Sequence, residues 1–155
     1  MNTTLPRLPY PVVYFAYGSN LHPDRMEQRC PGAVPLGTAE LDNHRVVIGD
    51  RGVATIIPHA GCTTIGVCWQ LQAGHETALD RAEGVALDLY RRVLIDVRQP
   101  SDRPLTALSY VEDFRRAGRP RPGYLETILA GARSFGLPDD YVQDLELLAV
   151  PAVSS

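Results

Sequence analysis

A run of apolar and aromatic residues, Val12 to Tyr17, ends abruptly at Gly18-Ser19-Asn20, and no other stretch constrains the fold as strongly. The run reads as a buried strand, and each of the three residues that break it favours a tight turn. Pro23 suits the first position of a helix, so the turn joins a strand end to a helix start. Backbone N–H groups of Gly18 to Leu21 then lack strand or helix partners and can converge on an anion at the positive helix end. An ordinary strand-to-helix turn has the same composition, so the turn by itself leaves both readings open. It lacks the second glycine of a nucleophile elbow and matches neither the Walker A nor the dinucleotide-binding glycine pattern. What it offers is an anion cradle without a nucleophile.

At 155 residues the chain fits one domain, large enough to bury roughly 70% of the surface its unfolded form would expose. We expect that domain to span 12–150, with an N-terminal extension at 1–11 and a frayed end at 151–155. A formal charge of -3 argues against binding nucleic acid or an anionic membrane, since both need excess cations. No stretch approaches the ~18 consecutive apolar residues of a membrane span, and the proline-containing N-terminus lacks a signal-peptide core, so the expected location is the cytoplasm. Cys30, Cys62 and Cys68 cannot all pair, and their spacing matches no common zinc or redox motif, so buried free thiols are expected. His22, His44, His59 and His75 are scattered without ligand spacing, so no metal or other cofactor is expected. The sequence does not set the oligomeric state.

Along the chain, Pro23 to Cys30 reads as a short helix with Met26 and Cys30 on one face. Val34 to Leu41, His44 to Ile48, Gly52 to Ile57 and Thr64 to Leu71 read as four strands of an antiparallel meander, separated by hairpin breaks. Gly74 to Ala82 reads as a helix of about three turns ended by Gly84 as its left-handed cap. Two strands follow, Leu89 to Val97 and Leu105 to Val111. The Gly/Pro-rich stretch with Arg115, Arg116, Arg119 and Arg121 reads as a mobile loop, and its cations are candidates for collecting an anionic substrate. Two helices end the chain, one carrying Tyr124, Ile128, Ala132 and Phe135, the other Tyr141, Leu145 and Leu148.

Glu83 is the candidate catalytic group. It stands at the negative pole of its helix, and helical spacing places it with Leu79 and Ala82, so the dipole and loss of water both favour its protonated form. A carboxyl raised toward neutrality can take a proton and return it, which makes it a general acid/base. Turned outward, the same side chain would be an ordinary solvated helix end.

Several segments, in order, resemble the gamma-glutamylcyclotransferases: F-x-Y-G-S-N-L at Phe15 to Leu21, G-V-A-T-I at Gly52 to Ile56, G-V-x-W at Gly66 to Trp69, L-D-x-x-E-G-V at Leu79 to Val85, a tyrosine seven residues past that glutamate, and G-L-P-x-x-Y at Gly136 to Tyr141. The resemblance implies an α+β fold around a small mixed or antiparallel β-barrel flanked by helices. It implies a small-molecule γ-glutamyl substrate whose own α-amine attacks its γ-carbonyl, releasing 5-oxoproline and a free amine. It also assigns roles: Glu83 as general acid/base, Tyr17, Gly18, Ser19, Asn20 and Leu21 as the turn that holds the glutamyl group, and Tyr90 and Tyr124 as pocket tyrosines. The segment Leu41 to Gly52 looks shorter than in animal members, and Arg115 to Gly123 is more basic. Two alternatives stay open at this point: biosynthetic removal of a γ-glutamyl protecting group from a larger amine, and a non-catalytic binding domain of the same fold.

Overall fold

The computed structural model of the chain describes residues 11–150. Apart from Pro11, the expected N-terminal extension and frayed C-terminus lie outside the described residues. Five strands are formed, β1 (Val12–Ala16), β2 (Val34–Ile48), β3 (Ala54–Leu71), β4 (Arg91–Gln99) and β5 (Arg103–Val111). With them stand four helices, α1 (Pro23–Arg29), α2 (His75–Ala82), α3 (Tyr124–Ser134) and α4 (Asp139–Glu146). The strands close into a barrel in the order β1, β3, β2, β4, β5. β1 runs antiparallel to β3 and parallel to β5, so the barrel is mixed. Phe15 and Ala16 of β1 are fully buried, which is why that strand carries an unbroken apolar run.

The four-stranded meander expected between Val34 and Leu71 is instead two long strands that pair along their whole length. Gly49-Asp50-Arg51-Gly52 is a true hairpin, closed by Gly52 N–H on Gly49 O at 2.9 Å. The other two breaks are not hairpins. Asn43, with φ 59, and Gly61, with φ 84, sit near each other across the ladder, where the register shifts and Gly61 N–H donates to Asn43 Oδ1. Bulges use the same positive-φ residues as hairpin turns, so composition alone does not separate them.

α1 starts at Pro23, and His22 Nδ1 caps it by accepting from Asp24 N–H. Met26 and Cys30 point into the core as their spacing requires. α2 is shorter than expected, eight residues that begin after a left-handed Gly74. It is locked to the barrel by charge: Arg92 of β4, almost wholly buried, pairs with Glu76 and, at 2.9 Å, with Asp80, and Tyr110 donates to Asp80 at 2.6 Å. α3 lies directly on the turn after β1. A Cβ on Gly131 would stand 2.5 Å from the Leu21 carbonyl carbon, so only glycine allows the approach.

The arginine-rich stretch is not a free loop. Gly118 N–H donates to Ile48 O and Arg121 N–H to Gly52 O, each at 3.0 Å, which ties it to the β2–β3 hairpin. Among the described residues no helix is long and apolar enough to cross a membrane. Cys30 and Cys68 are buried free thiols, raised to about 11 and about 12 by burial, whereas Cys62 is only partly buried.

Candidate active site

A cavity of about 610 Å³ opens where the turn after β1, the end of α2, the start of β4, the β2–β3 hairpin and the approach to α3 meet. It gathers Glu83, Tyr17, Gly18, Ser19, Asn20, Tyr90 and Tyr124, which are far apart in sequence. Leu21 does not line it. That side chain is fully buried beneath α3, and its N–H donates to Gly18 O at 2.9 Å. The cradle is therefore narrower than the sequence implied. The N–H groups of Gly18, Ser19 and Asn20 have no hydrogen-bond partner among the described residues and remain open to a ligand.

Glu83 closes α2, with its N–H on Leu79 O at 2.8 Å. The next residue, Gly84, has φ 66, and a Cβ there would press on Leu89, so glycine both turns the chain and lets Leu89 pack beside the glutamate. Ala82 is exposed and takes no part in the buried face. Glu83 Oε1 stands 3.5 Å from Asn20 Nδ2 and 3.5 Å from an Arg29 amine, the outer limit of a hydrogen bond. The carboxylate is thus loosely held. Burial raises its pKa above the ordinary carboxylate range, while the guanidiniums of Arg29, Arg25 and Arg51 pull it back down. Loss of water is the largest cause.

Asn20 connects the two halves of the site. Its amide donates to Tyr14 Oη at 2.9 Å and faces Glu83, while its carbonyl oxygen accepts from Arg29 at 2.8 Å. Tyr90 and Tyr124 clasp one residue: Tyr90 donates to Ala54 O, and Tyr124 Oη accepts from Ala54 N–H at 2.9 Å. The Tyr124 hydroxyl lies 3.5 Å from where a Cβ on Gly18 would stand, so it faces the turn with its own proton still to donate. Burial raises both tyrosines and keeps them protonated. Tyr17 donates to Tyr110 O and presents its ring to the cavity.

Sequence reasoning did not find Tyr14, Tyr110, or the arginines Arg25, Arg29, Arg51 and Arg81 in this lining. One signal was present. Arg25 and Arg29 are four apart on a helix starting at Pro23, which puts both on one face. Of the arginine-rich stretch, only Arg121 reaches the cavity. Among the described residues no group of His, Cys, Asp or Glu is placed to hold a metal ion.

The AIG2-like family matches residues 64–145. The gamma-glutamylcyclotransferase of Mus musculus is 32% identical over 146 residues, covering 88% of this chain and 78% of its own length. That of Homo sapiens is 30% identical over 146 residues, with the same coverage. A solved gamma-glutamyl cyclotransferase superposes with a TM-score of 0.83 at 28% identity, covering 93% of this chain and 90% of its own. A Homo sapiens protein solved as uncharacterised gives a TM-score of 0.85 at 29% identity, covering 95% and 92%. With the barrel, the turn and the helix-end glutamate all in place, the chain belongs to the AIG2-like, gamma-glutamylcyclotransferase-like family.

Proposed function

We propose that the protein is a gamma-glutamylcyclotransferase that cleaves a small-molecule γ-glutamyl amide into 5-oxoproline and a free amine. The observation that carries this reading is Glu83, a carboxylate with a burial-raised pKa that shares one cavity with the open N–H groups of Gly18 to Asn20. Those N–H groups bind the glutamyl α-carboxylate, and Arg25, whose amine lies 3.2 Å from Ser19 Oγ, adds charge beside them. Bound so, the substrate folds its α-amine toward its own γ-carbonyl.

Glu83 takes one proton from the α-ammonium, and the freed amine attacks the γ-carbonyl. A new C–N bond closes the five-membered lactam as the amide C–N bond breaks. Glu83 returns its proton to the leaving nitrogen, then takes the second proton from the ring nitrogen and passes it to the departing amine, which leaves as an ammonium; no water is consumed and the carboxylate is regenerated. Tyr124, whose hydroxyl lies beside the turn and is free to donate, supports the oxyanion that forms on the γ-carbonyl. Attack within one molecule reaches effective molarities of about 10⁵ M or more when well oriented, so the cavity acts mainly by holding the folded conformer. The free thiols fit a reducing compartment, consistent with the cytoplasm.

Incubation with γ-glutamyl-alanine in heavy-oxygen water tests this. The expected product is 5-oxoproline without solvent oxygen, and no reaction when the α-amine is acetylated. Labelled glutamate as the primary product would make the enzyme a hydrolase and remove the cyclisation.

A further inference from the structure

Of the chain's 15 basic residues, all arginine, Arg25, Arg29, Arg51, Arg81 and Arg121 line the cavity described above, and Glu83 is the one acidic residue that lines it with them. The whole chain carries a formal charge of -3, so this concentration of cations runs against its composition. A cleft lined by one sign of charge focuses the field on whatever enters it.

Pairing within the protein uses only part of that charge. Arg29 faces Glu83, and Arg51 is paired with Glu112 while lying 5.6 Å over the Tyr90 ring. Arg25, Arg81 and Arg121 have no carboxylate within ion-pair distance among the described residues. Arg25 reaches the turn at Ser19, where the glutamyl α-carboxylate sits under the proposed reading. Two cations are then left for the other end of the substrate. Arg81 stands two residues before Glu83 at the end of α2. Arg121 is fixed beside the hairpin by its Nε–H on Arg51 O at 2.9 Å. Leu87, 74% exposed, and Leu89 add an apolar portion to the same lining.

Resting on the cyclotransferase reading, we infer that the departing amine carries two negative charges on a short aliphatic stem, as a dicarboxylic amino acid does, with Arg81 and Arg121 as its specificity-determining residues. A guanidinium takes a carboxylate through two parallel hydrogen bonds, so each arginine can select one carboxylate. A polycationic amine meets repulsion from both, which sets the protecting-group alternative aside for leaving groups of that charge.

The test measures 5-oxoproline release from γ-glutamyl-glutamate, γ-glutamyl-alanine, γ-glutamyl-ethylamine and ε-(γ-glutamyl)-lysine. kcat/KM is expected to fall along the first three by roughly tenfold per lost carboxylate, the range of a charge-assisted hydrogen bond. Arg81→Gln and Arg121→Gln should each lower the ratio of kcat/KM for γ-glutamyl-glutamate over γ-glutamyl-ethylamine by roughly tenfold, and added salt should narrow it in the wild type. Equal kcat/KM across the first three substrates would overturn the inference and leave the cyclotransferase reading standing. A ratio untouched in both variants, with circular dichroism showing them folded, would overturn the assignment to these residues. Release of 5-oxoproline from none of the four compounds would sink the reading and this inference together.

Discussion

The two ends of α2 treat charge in opposite ways. On its body, Glu76 and Asp80 meet the buried Arg92, with Tyr110 donating to Asp80, so opposite charges are matched against the barrel wall. At its C-terminal end, Glu83 faces a cavity in which arginines outnumber carboxylates. Seven residues separate Glu76 from Glu83, two helical turns, so the two carboxylates lie in line along one helix. Matched charge ties α2 to the barrel, while the charge at its tip faces an arginine-lined cavity. Under the proposed function the difference would separate a residue needed for the fold from one needed for chemistry, and it can be probed from either side.

The largest effect is expected at the unmatched end. Glu83→Gln should lose roughly 10² to 10⁴ of kcat while the protein stays folded, the span for deleting a general acid/base. It should also be more stable than the wild type at neutral pH. The sign follows from the raised pKa: the folded protein favours protonated Glu83, so that contribution is full below the carboxyl's unfolded value and lost as pH rises through the folded one. Gln mimics the protonated form at all pH values. The gain in Tm should therefore be present at pH 7.5 and shrink toward pH 4; a Gln variant less stable than wild type at pH 7.5 would contradict the burial argument.

At the matched end the effect should be on folding. Arg92→Met removes the guanidinium from Glu76 and Asp80 and should cost about 3 to 5 kcal/mol, as breaking one side of a buried ion pair does. Chemical unfolding measures it. Pairing the change with Glu76→Leu should recover much of the loss, since a matched apolar replacement leaves fewer buried charges. A single variant within about 1 kcal/mol of wild type would mean that water, rather than Arg92, compensates the two carboxylates.

The contrast between the ends of α2 also marks what was legible in the sequence. Glu83 was readable because a helix end and a following glycine are local signals, and Gly84 does take the left-handed conformation. The strand, turn and helix from Val12 to Arg29 were readable for the same reason. The Arg92 cluster was not, because Arg92 sits on a strand 16 residues after Glu76 and nothing local announces the pairing. The breaks at Asn43 and Gly61 misled, since bulges within two long strands carry hairpin residues. Closure of the barrel by β1 against β5 joins residues such as Tyr14 and Leu108, a contact that periodicity cannot reveal. Nothing in the sequence singles out the cavity arginines on α1 and α2 as lining a cleft, because a charged residue looks the same in sequence whether it faces solvent or a cleft.

The turn offers a finer cut. Gly18 has a negative φ, -117, with ψ -133. A Cβ would make ordinary contacts at 3.5 Å with Ala54 and Tyr124. Gly18→Ala should therefore keep most activity, whereas the larger Gly18→Val should displace the substrate and cost about 10²-fold. Ser19→Ala should cost less than Gly18→Val, because the turn acts through N–H groups and the Ser19 hydroxyl is engaged with Arg25. If Ser19→Ala abolished turnover while Gly18→Val were tolerated, the hydroxyl would be the working group.

Arg29 stands between the two regimes, a cavity arginine that also faces Glu83. Its charge holds the Glu83 pKa below where burial alone would put it. Arg29→Met should move the acid limb of the kcat/KM profile to higher pH, because the base must be ionised to accept the ammonium proton. Activity then falls more at pH 6 than at pH 8. A uniform loss across pH, with the limb unmoved, would assign Arg29 to positioning Asn20 alone.

The smallest effect separates cations inside the cavity from cations merely near it. Arg115, Arg116 and Arg119 share a Gly/Pro-rich segment with Arg121, and composition alone makes all four candidates for drawing in an anion. Only Arg121 lines the cavity, while Arg116, with an 81% exposed side chain, reaches Asp50 at 3.5 Å and is compensated there. Exposed charges outside a cleft act through a screened field that fades over about 8 Å at physiological salt. Replacing Arg115 and Arg116 together by Gln should therefore change kcat/KM for an anionic substrate by less than about twofold, and only at low salt. Arg121→Gln should cost more, roughly tenfold for the dicarboxylate substrate, because Arg121 lines the cavity. A tenfold loss in the Arg115/Arg116 variant that vanished with added salt would show that the field of the whole segment, rather than the two cavity arginines, gathers the substrate.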